Sequence, residues 1–220
     1  MSSAATIERR VRVRAPGKIN IAFDVGDLQP GGYHRVASVY QAVSAYEDLT
    51  VTLDAGGYTV AVTSDFDVSA VPLDGSNLAV RAAKAVAQRT GFTGGIHLDI
   101  RKGVPVAGGM GGGSADAAAS LVAVNELLGA GLSSLELQQL GAELGADVPF
   151  AMLGGTAIGT GRGDELAPAL VRGRFDWVLV TSADGLSTPA VYGELDRLRA
   201  LPDITPVHGA PRVDPSVLQA

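Results

Sequence analysis

Pro105-Val106-Ala107-Gly108-Gly109-Met110-Gly111-Gly112-Gly113-Ser114-Ala115-Asp116-Ala117-Ala118 is the stretch on which the reading of this chain turns. Five of its fourteen residues are glycine. Before it, Ile96 to Ile100 alternates apolar and polar residues, the period of a half-buried strand. After it, Ala115 to Leu128 reads as a helix. Glycine allows sharp turns and leaves backbone N–H groups unshielded by a Cβ. A helix start adds unpaired N–H groups and the positive end of the helix dipole. A glycine loop between a strand and a helix is therefore a cradle for phosphate. The alternative, a flexible linker, sits poorly with a stretch that runs straight into an alanine-rich helix. It is not a Walker A loop, because no lysine follows Gly103. It matches the dinucleotide fingerprint only loosely and lies far from the first strand. Ser114 can offer its hydroxyl to phosphate or cap the helix, and the two roles are compatible. Asp116 reads as local stabilisation of the helix start.

Working outward, Arg9 to Ala15 alternates as a strand and meets a turn at Pro16-Gly17. Ile19 to Val25 reads as a second strand or as the far side of a bulge, and Asp27 to His34 as a loop. Val36 to Val43 is apolar and β-rich. Leu49 to Leu53 and Tyr58 to Val62 alternate on either side of a Gly56-Gly57 turn. Asn77 to Arg89 carries a helical period. Ser133 or Ser134 caps a helix whose apolar line is Leu137, Leu140 and Leu144. Gly145 ends that helix, and Pro149 restricts the backbone after it. Five glycines between Gly154 and Gly163 mark a domain boundary, placing residues 1–155 in one unit and 156–220 in an incomplete second. Phe175 to Thr181 reads as a strand, Pro189 to Leu201 as a helix, and Pro202 to Ala220 as a proline-rich tail without period.

Composition narrows the function. The 220 residues suffice for a core, with 46% hydrophobic residues. A net charge of −6 argues against a general nucleic-acid binder, though a few placed cations can still serve an anionic substrate. The absence of cysteine removes disulfides, thiolate catalysis and cysteine-based metal sites. His34, His97 and His208 form no ligand motif. No apolar run reaches membrane-spanning length, and Met1 to Glu8 lacks a signal core, so a cytoplasmic protein is the expectation.

Three blocks together carry a family resemblance: Ala15-Pro-Gly-Lys-Ile-Asn20 with Gly31-Gly-Tyr-His34, the loop above, and Gly145-Ala-Asp-Val-Pro-Phe150. Asp74-Gly-Ser-Asn-Leu78 adds to them. The chain resembles the GHMP kinase superfamily and, within it, the family acting on 4-diphosphocytidyl-2-C-methyl-D-erythritol. The resemblance implies an α/β (α+β) two-domain fold, with an amino-terminal domain like ribosomal protein S5 domain 2 and an incomplete carboxy-terminal domain. It implies ATP and Mg²⁺, with the metal ligands left open, and a small-molecule cytidine diphosphate substrate. It implies no nucleic-acid or membrane partner, and a monomer or weak homodimer. The expected reaction is phosphorylation of the substrate's 2-hydroxyl. The alternatives are another small-molecule GHMP kinase, or a nucleotide-binding fragment without activity.

The resemblance also assigns roles. Residues alone leave Asp147 open between turn cap and general base, and make Lys18 an ordinary solvated lysine. The resemblance makes Asp147 the base and Lys18 its paired cation. It gives Asn20 and His34 to the substrate, and leaves Tyr33 between stacking on the substrate and packing in the core. Pro105 to Ala115 would hold the nucleotide, with Asn77 on its base or ribose side. The family's third glycine- and serine-rich motif is not found in these 220 residues. The segment Thr181-Ser-Ala-Asp-Gly-Leu186 departs from the pattern of many relatives, which have a Pro-Gly pair there.

Overall fold

The structure, a computed structural model, describes residues 9–180 and 187–201. A six-stranded sheet carries helices on one side. Its backbone is the antiparallel pair β1 (Arg10–Leu28) and β2 (His34–Asp54). On its other edge, β2 pairs with β4 (Gly95–Lys102) through Asp48 to Asp54, and with β5 (Thr156–Thr160) through Ser38 to Gln41. β3 (Tyr58–Ser64) lies parallel to β4, and β6 (Glu165–Pro168) pairs with β5. The turn at Gly56-Gly57 therefore does not close a hairpin, since β4 lies between β2 and β3. A parallel pair needs a crossover, supplied by α1 (Leu78–Thr90).

Period-two alternation decides what faces the core. Leu49 and Val51 on β2 and Ile96, Leu98 and Ile100 on β4 are fully buried. Each such side chain contributes about 1.5–3 kcal/mol by leaving water. Helix α2 (Gly112–Leu128) lies over this face and packs against α1, β1, β2 and α4 (Val148–Leu153). Its alanines 115, 117, 118, 119 and 123 are buried, and their small size allows so many neighbours to approach. α3 (Ser134–Leu144) begins with a capping box between Ser133 and Glu136 and buries Leu137 and Leu140.

Several elements differ from the expectation. β1 does not stop at Pro16-Gly17; it continues to Leu28 through register shifts between Pro16 and Lys18, Asn20 and Ala22, and Val25 and Leu28. α2 begins at Gly112, three residues before the expected Ala115, because glycine at a helix start needs no side-chain room. Gly154 and Gly155 form the turn into β5, and β5 and β6 extend the sheet through β2. Phe175 to Val180 is not a strand: it pairs with no described strand, and Val178 and Val180 are exposed. Thr181 to Leu186 and Pro202 to Ala220 lie outside the described residues. α5 (Thr188–Arg199) follows with no buried residue of its own. Among the described residues no helix is long and apolar enough to cross a membrane.

Gly95 marks the tightest backbone approach. A Cβ there would stand 2.7 Å from the Asp54 carbonyl oxygen and collide with the backbone of Gly57. We predict that Gly95→Ala destabilises the protein by ~2–3 kcal/mol through overpacking. Ser133→Ala, which removes only a cap, should cost ~1 kcal/mol. Chemical denaturation of both variants tests the order; equal losses would show that the strand ends relax around an added methyl.

Candidate active site

Pro16 and Gly17 interrupt the pairing of β1 with β2, and the chemistry begins there. Proline has no N–H to give the ladder. Gly17 lies against Val104, where a Cβ would come within 2.9 Å of the valine side chain. The break turns the Lys18 N–H away from β2 and onto the Met110 carbonyl oxygen at 2.9 Å. One backbone bond thus ties the first strand to the glycine loop.

Three side chains converge on Lys18. Its Nζ lies 3.6 Å from Asp147 Oδ2 and donates to Asn20 Oδ1 at 3.0 Å. Asn20 Nδ2 donates to Ser38 Oγ at 2.6 Å, and that hydroxyl donates to the Ala22 carbonyl oxygen at 3.2 Å. The ammonium also sits 5.7 Å from the centre of the Tyr40 ring, within cation–π range. The relay from lysine through asparagine to a fully buried serine fixes the lysine head before any ligand arrives. Asn20 contacts the cation directly, a role the substrate assignment did not include.

Asp147 stands at the N-cap of α4, with Pro149 in the first turn, yet its side chain makes no cap hydrogen bond. Its carboxylate is therefore left to face Lys18, and the turn-cap alternative is not realised. A six-residue helix follows where the sequence showed only a restricted backbone. Gly111 meets the pair from the loop side. Its φ is +71°, and a Cβ there would lie 3.3 Å from Lys18 Cγ and 3.7 Å from Asp147 Oδ2. Burial first, and then the Asp147 charge, raises the Tyr40 hydroxyl above the usual tyrosine range, so the ring stays neutral. Tyr192 is shifted upward for the same two reasons.

Gly111 is also the N-cap of α2 and offers no side-chain acceptor to the first turn. The opening N–H groups of α2 are thus left for a ligand, at the positive end of the helix. They border a cavity of about 400 Å³ lined by Pro105 to Gly113, Ser76 and Asn77, among others. A wider groove of about 970 Å³ runs beside Pro16, Gln41 and Trp177, and neither it nor the smaller cavity is lined by Lys18 or Asp147. Ser114 lies inside the first turn, rather than at the cap, with Oγ towards Gly145. Ala115 is fully buried, so only its backbone can serve a ligand. Asn77 is committed as the cap of α1: Oδ1 accepts from the Ala79 N–H at 2.9 Å, and Nδ2 donates to the Pro72 carbonyl oxygen at 2.8 Å.

His34 and Tyr33 lie elsewhere along β2 and its turn. His34 is buried, and its Nδ1 donates to the Gly26 carbonyl oxygen at 2.9 Å. Its Nε2 is 3.2 Å from Asp196 Oδ2 on α5, and Tyr192 meets its ring edge-on at 5.1 Å. Tyr192 touches His34 and also feels the Asp147 charge, so it stands between the two. Tyr33 is 42% exposed in the turn, with its ring close to Gly31.

The sequence reading missed one cluster outright. Lys102 Nζ donates to Glu47 Oε1 at 2.8 Å and to Asp116 Oδ2 at 2.7 Å, all three side chains being buried. Asp116 is therefore not a surface charge at a helix start but an inward-facing ion-pair partner. The missed signal was parity: Glu47 shares its face of β2 with Leu49 and Val51, and Lys102 shares its face of β4 with Ile96, Leu98 and Ile100.

Known proteins resemble this chain in sequence and in fold. Residues 77–155 match the model of the GHMP kinases N terminal domain. The chain is 56% identical to a 4-diphosphocytidyl-2-C-methyl-D-erythritol kinase of Clavibacter michiganensis, with 100% of this chain and 71% of that protein aligned. It is 59% identical to the corresponding protein of Leifsonia xyli, covering 96% of this chain and 69% of that one. A crystal structure of 4-(cytidine 5'-diphospho)-2C-methyl-D-erythritol kinase superposes with a TM-score of 0.58 at 31% identity, covering 74% of this chain and 56% of that one. A homoserine kinase from Cytophaga hutchinsonii, at 18% identity and a TM-score of 0.59, shares the fold, with 94% of this chain and 64% of that one covered. The chain thus spans little more than half of the solved cytidine-compound kinase.

Gly111 offers a direct test of the loop. Alanine there combines a strained left-handed backbone with a methyl against Lys18. We predict that Gly111→Ala weakens binding of a phosphate-bearing nucleotide at least ~10-fold, about 1.4 kcal/mol. Titration calorimetry reads the change; parent-like affinity would mean that the loop can bind phosphate without this turn.

Proposed function

Since the chain belongs to the 4-diphosphocytidyl-2-C-methyl-D-erythritol kinase family of GHMP kinases, we propose that it moves the γ-phosphoryl group of ATP to the 2-hydroxyl of 4-diphosphocytidyl-2-C-methyl-D-erythritol. The observation that carries the proposal is the meeting of Lys18 and Asp147 against Gly111, the residue through which the glycine loop and its cavity adjoin the pair. Phosphoryl transfer asks a protein mainly for alignment and for stabilisation of spreading negative charge.

Each residue has a task in that scheme. The N–H groups of the loop and of the first turn of α2 hold the nucleotide phosphates. Asp147 accepts the proton of the 2-hydroxyl as its oxygen bonds to the γ-phosphorus and the bond to the ADP oxygen breaks. Lys18 neutralises charge on the transferring group, and Asn20 and Ser38 keep it from swinging away. Tyr40 supplies a neutral ring face beneath the ammonium. The open N–H groups fit a nucleotide. Among the described residues no trio of His, Cys, Asp or Glu gathers as a metal cage. Magnesium, which neutralises phosphate charge when bound, would then be held largely by phosphates and water. Residues Tyr33 and His34 form the proposed cytidine side, and Tyr192 links that side to the transfer site.

A substrate panel tests the reaction. We predict transfer from ATP to the cytidine compound and none to homoserine or mevalonate; the reverse pattern would assign another GHMP activity. Nucleotide binding without transfer to any of the three would make this chain a nucleotide-binding unit instead. Where transfer is seen, Asp147→Asn should lower kcat by roughly 10²–10⁴-fold with ATP affinity little changed. Near-parental turnover in that variant would remove the base assignment. His34→Ala should raise KM for the cytidine compound more than KM for ATP. A rise confined to ATP would displace His34 from the cytidine side.

A further inference from the structure

The mechanism above leaves three buried charged side chains without a task. Glu47, Lys102 and Asp116 come from β2, β4 and α2 and meet directly below the start of α2. Two carboxylates share one ammonium. Glu47 Oε2 also accepts the Gly103 N–H at 3.0 Å, while Asp116 Oδ1 has no hydrogen-bond partner among the described residues. Such a cluster is a poor way to gain stability, because similar apolar side chains in its place are often as stable or more so.

Its position is more informative. Gly112, the first residue of α2, rests on the cluster: a Cβ there would come within 2.8 Å of Glu47 Oε1. Asp116 follows one helical turn later on the same helix. Lys102 and Asp116 line the cavity that Gly108 to Gly113 also line. The ammonium therefore grips α2 directly through Asp116 and supports it from below through Glu47.

We propose, resting on the kinase reading, that Lys102 is a positioning residue: through Glu47 and Asp116 it holds the first turn of α2 where its N–H groups meet the nucleotide phosphates. The charges acting on Glu47 are Lys102 and Asp116. β1 places the uncharged Ala15 opposite it, and the neighbouring Asp48 points away to Arg12 and Arg14. Burial, then the Asp116 charge, pushes the Glu47 carboxyl up to about 7. Burial raises Asp116 as well, so the two carboxyls titrate as a pair around one ammonium. With one proton between them the cluster is neutral; with that proton lost it carries one negative charge beneath an anion site. Nucleotide affinity should then fall as pH rises through about 7 by this contribution, because like charges repel.

The test is nucleotide binding by the whole chain, read by calorimetry with a non-hydrolysable ATP analogue and magnesium. The triple variant Glu47→Gln, Lys102→Met, Asp116→Asn leaves no buried charge unpaired, and circular dichroism and melting check its fold. The expected result is a parent-like melt, a Kd for the analogue raised at least ~10-fold, and a Kd for the cytidine compound changed by less than ~3-fold. Equal analogue affinity in variant and parent overturns the proposal, and so does equal weakening of both ligands. Should the triple variant not fold, Glu47→Gln alone decides. The ratio of parent Kd to variant Kd should rise with pH through about 7, a comparison in which the analogue's own titration cancels. A flat ratio overturns the proposal. A parent chain that binds no analogue would sink the kinase reading and this inference together, whereas a binding parent matched by its variants sinks only the inference.

Discussion

A helix buried on almost every side is the constraint from which the rest of this structure follows. α2 enters the core because its residues are small, and alanine lets α1, α4 and the sheet close around it. A helix has a polar end, and here that end stays open while the body is buried: Gly111, Gly112 and Ser114 are half-buried and Gly113 is exposed. The first turn therefore opens onto the cavity of the loop, and no side chain caps it. Glycine at 111 and 112 resolves the crowding in two directions. One glycine lets the loop close on Lys18 and Asp147, and the other lets the helix settle onto Glu47. Packing and chemistry are joined at these two residues.

Two lysines then act in contrasting surroundings. Lys18 lies at the rim, held by Asn20 and facing an Asp147 side chain that is 30% exposed. Charges there keep some solvent, and their positions can answer a ligand. Lys102 is sealed in with two carboxylates, one of which is raised to about 7. Its side chain has little freedom to move, which suits a support more than a reactant. The same residue type thus sits in two settings, one at the rim and one sealed in, and burial separates the two.

α5 shapes the surroundings of His34. It buries none of its own residues, yet it places Asp196 and Tyr192 on His34, and Arg199 on the carbonyl oxygens of Val25 and Gly26. The His34 ring nitrogens therefore already have neighbours. A base recognised there would compete with Asp196 for Nε2, so the helix takes part in the recognition surface as well as covering it.

How much of this was legible follows from what is local. The loop, the caps and most helices could be read directly, because glycine freedom, capping and helical period depend on neighbours in the chain. Lys18 and Asp147 were found through short blocks, and their pairing is a contact 129 positions apart in sequence, from 147 − 18, that no local rule supplies. Asn20 and Asn77 were assigned to ligands, and the fold also engages them in holding a lysine and starting a helix, contacts that no local pattern shows. The strand expected at Phe175 failed because a strand exists only by its partner, and partners are chosen in three dimensions. By itself the sequence determined the glycine loop and the helix it opens, since a glycine run ending in a helix has few other shapes. Only the tertiary structure decided which charges surround that loop, because pairing the strands and seating the helices sets the distances that leave one lysine at the rim and bury another.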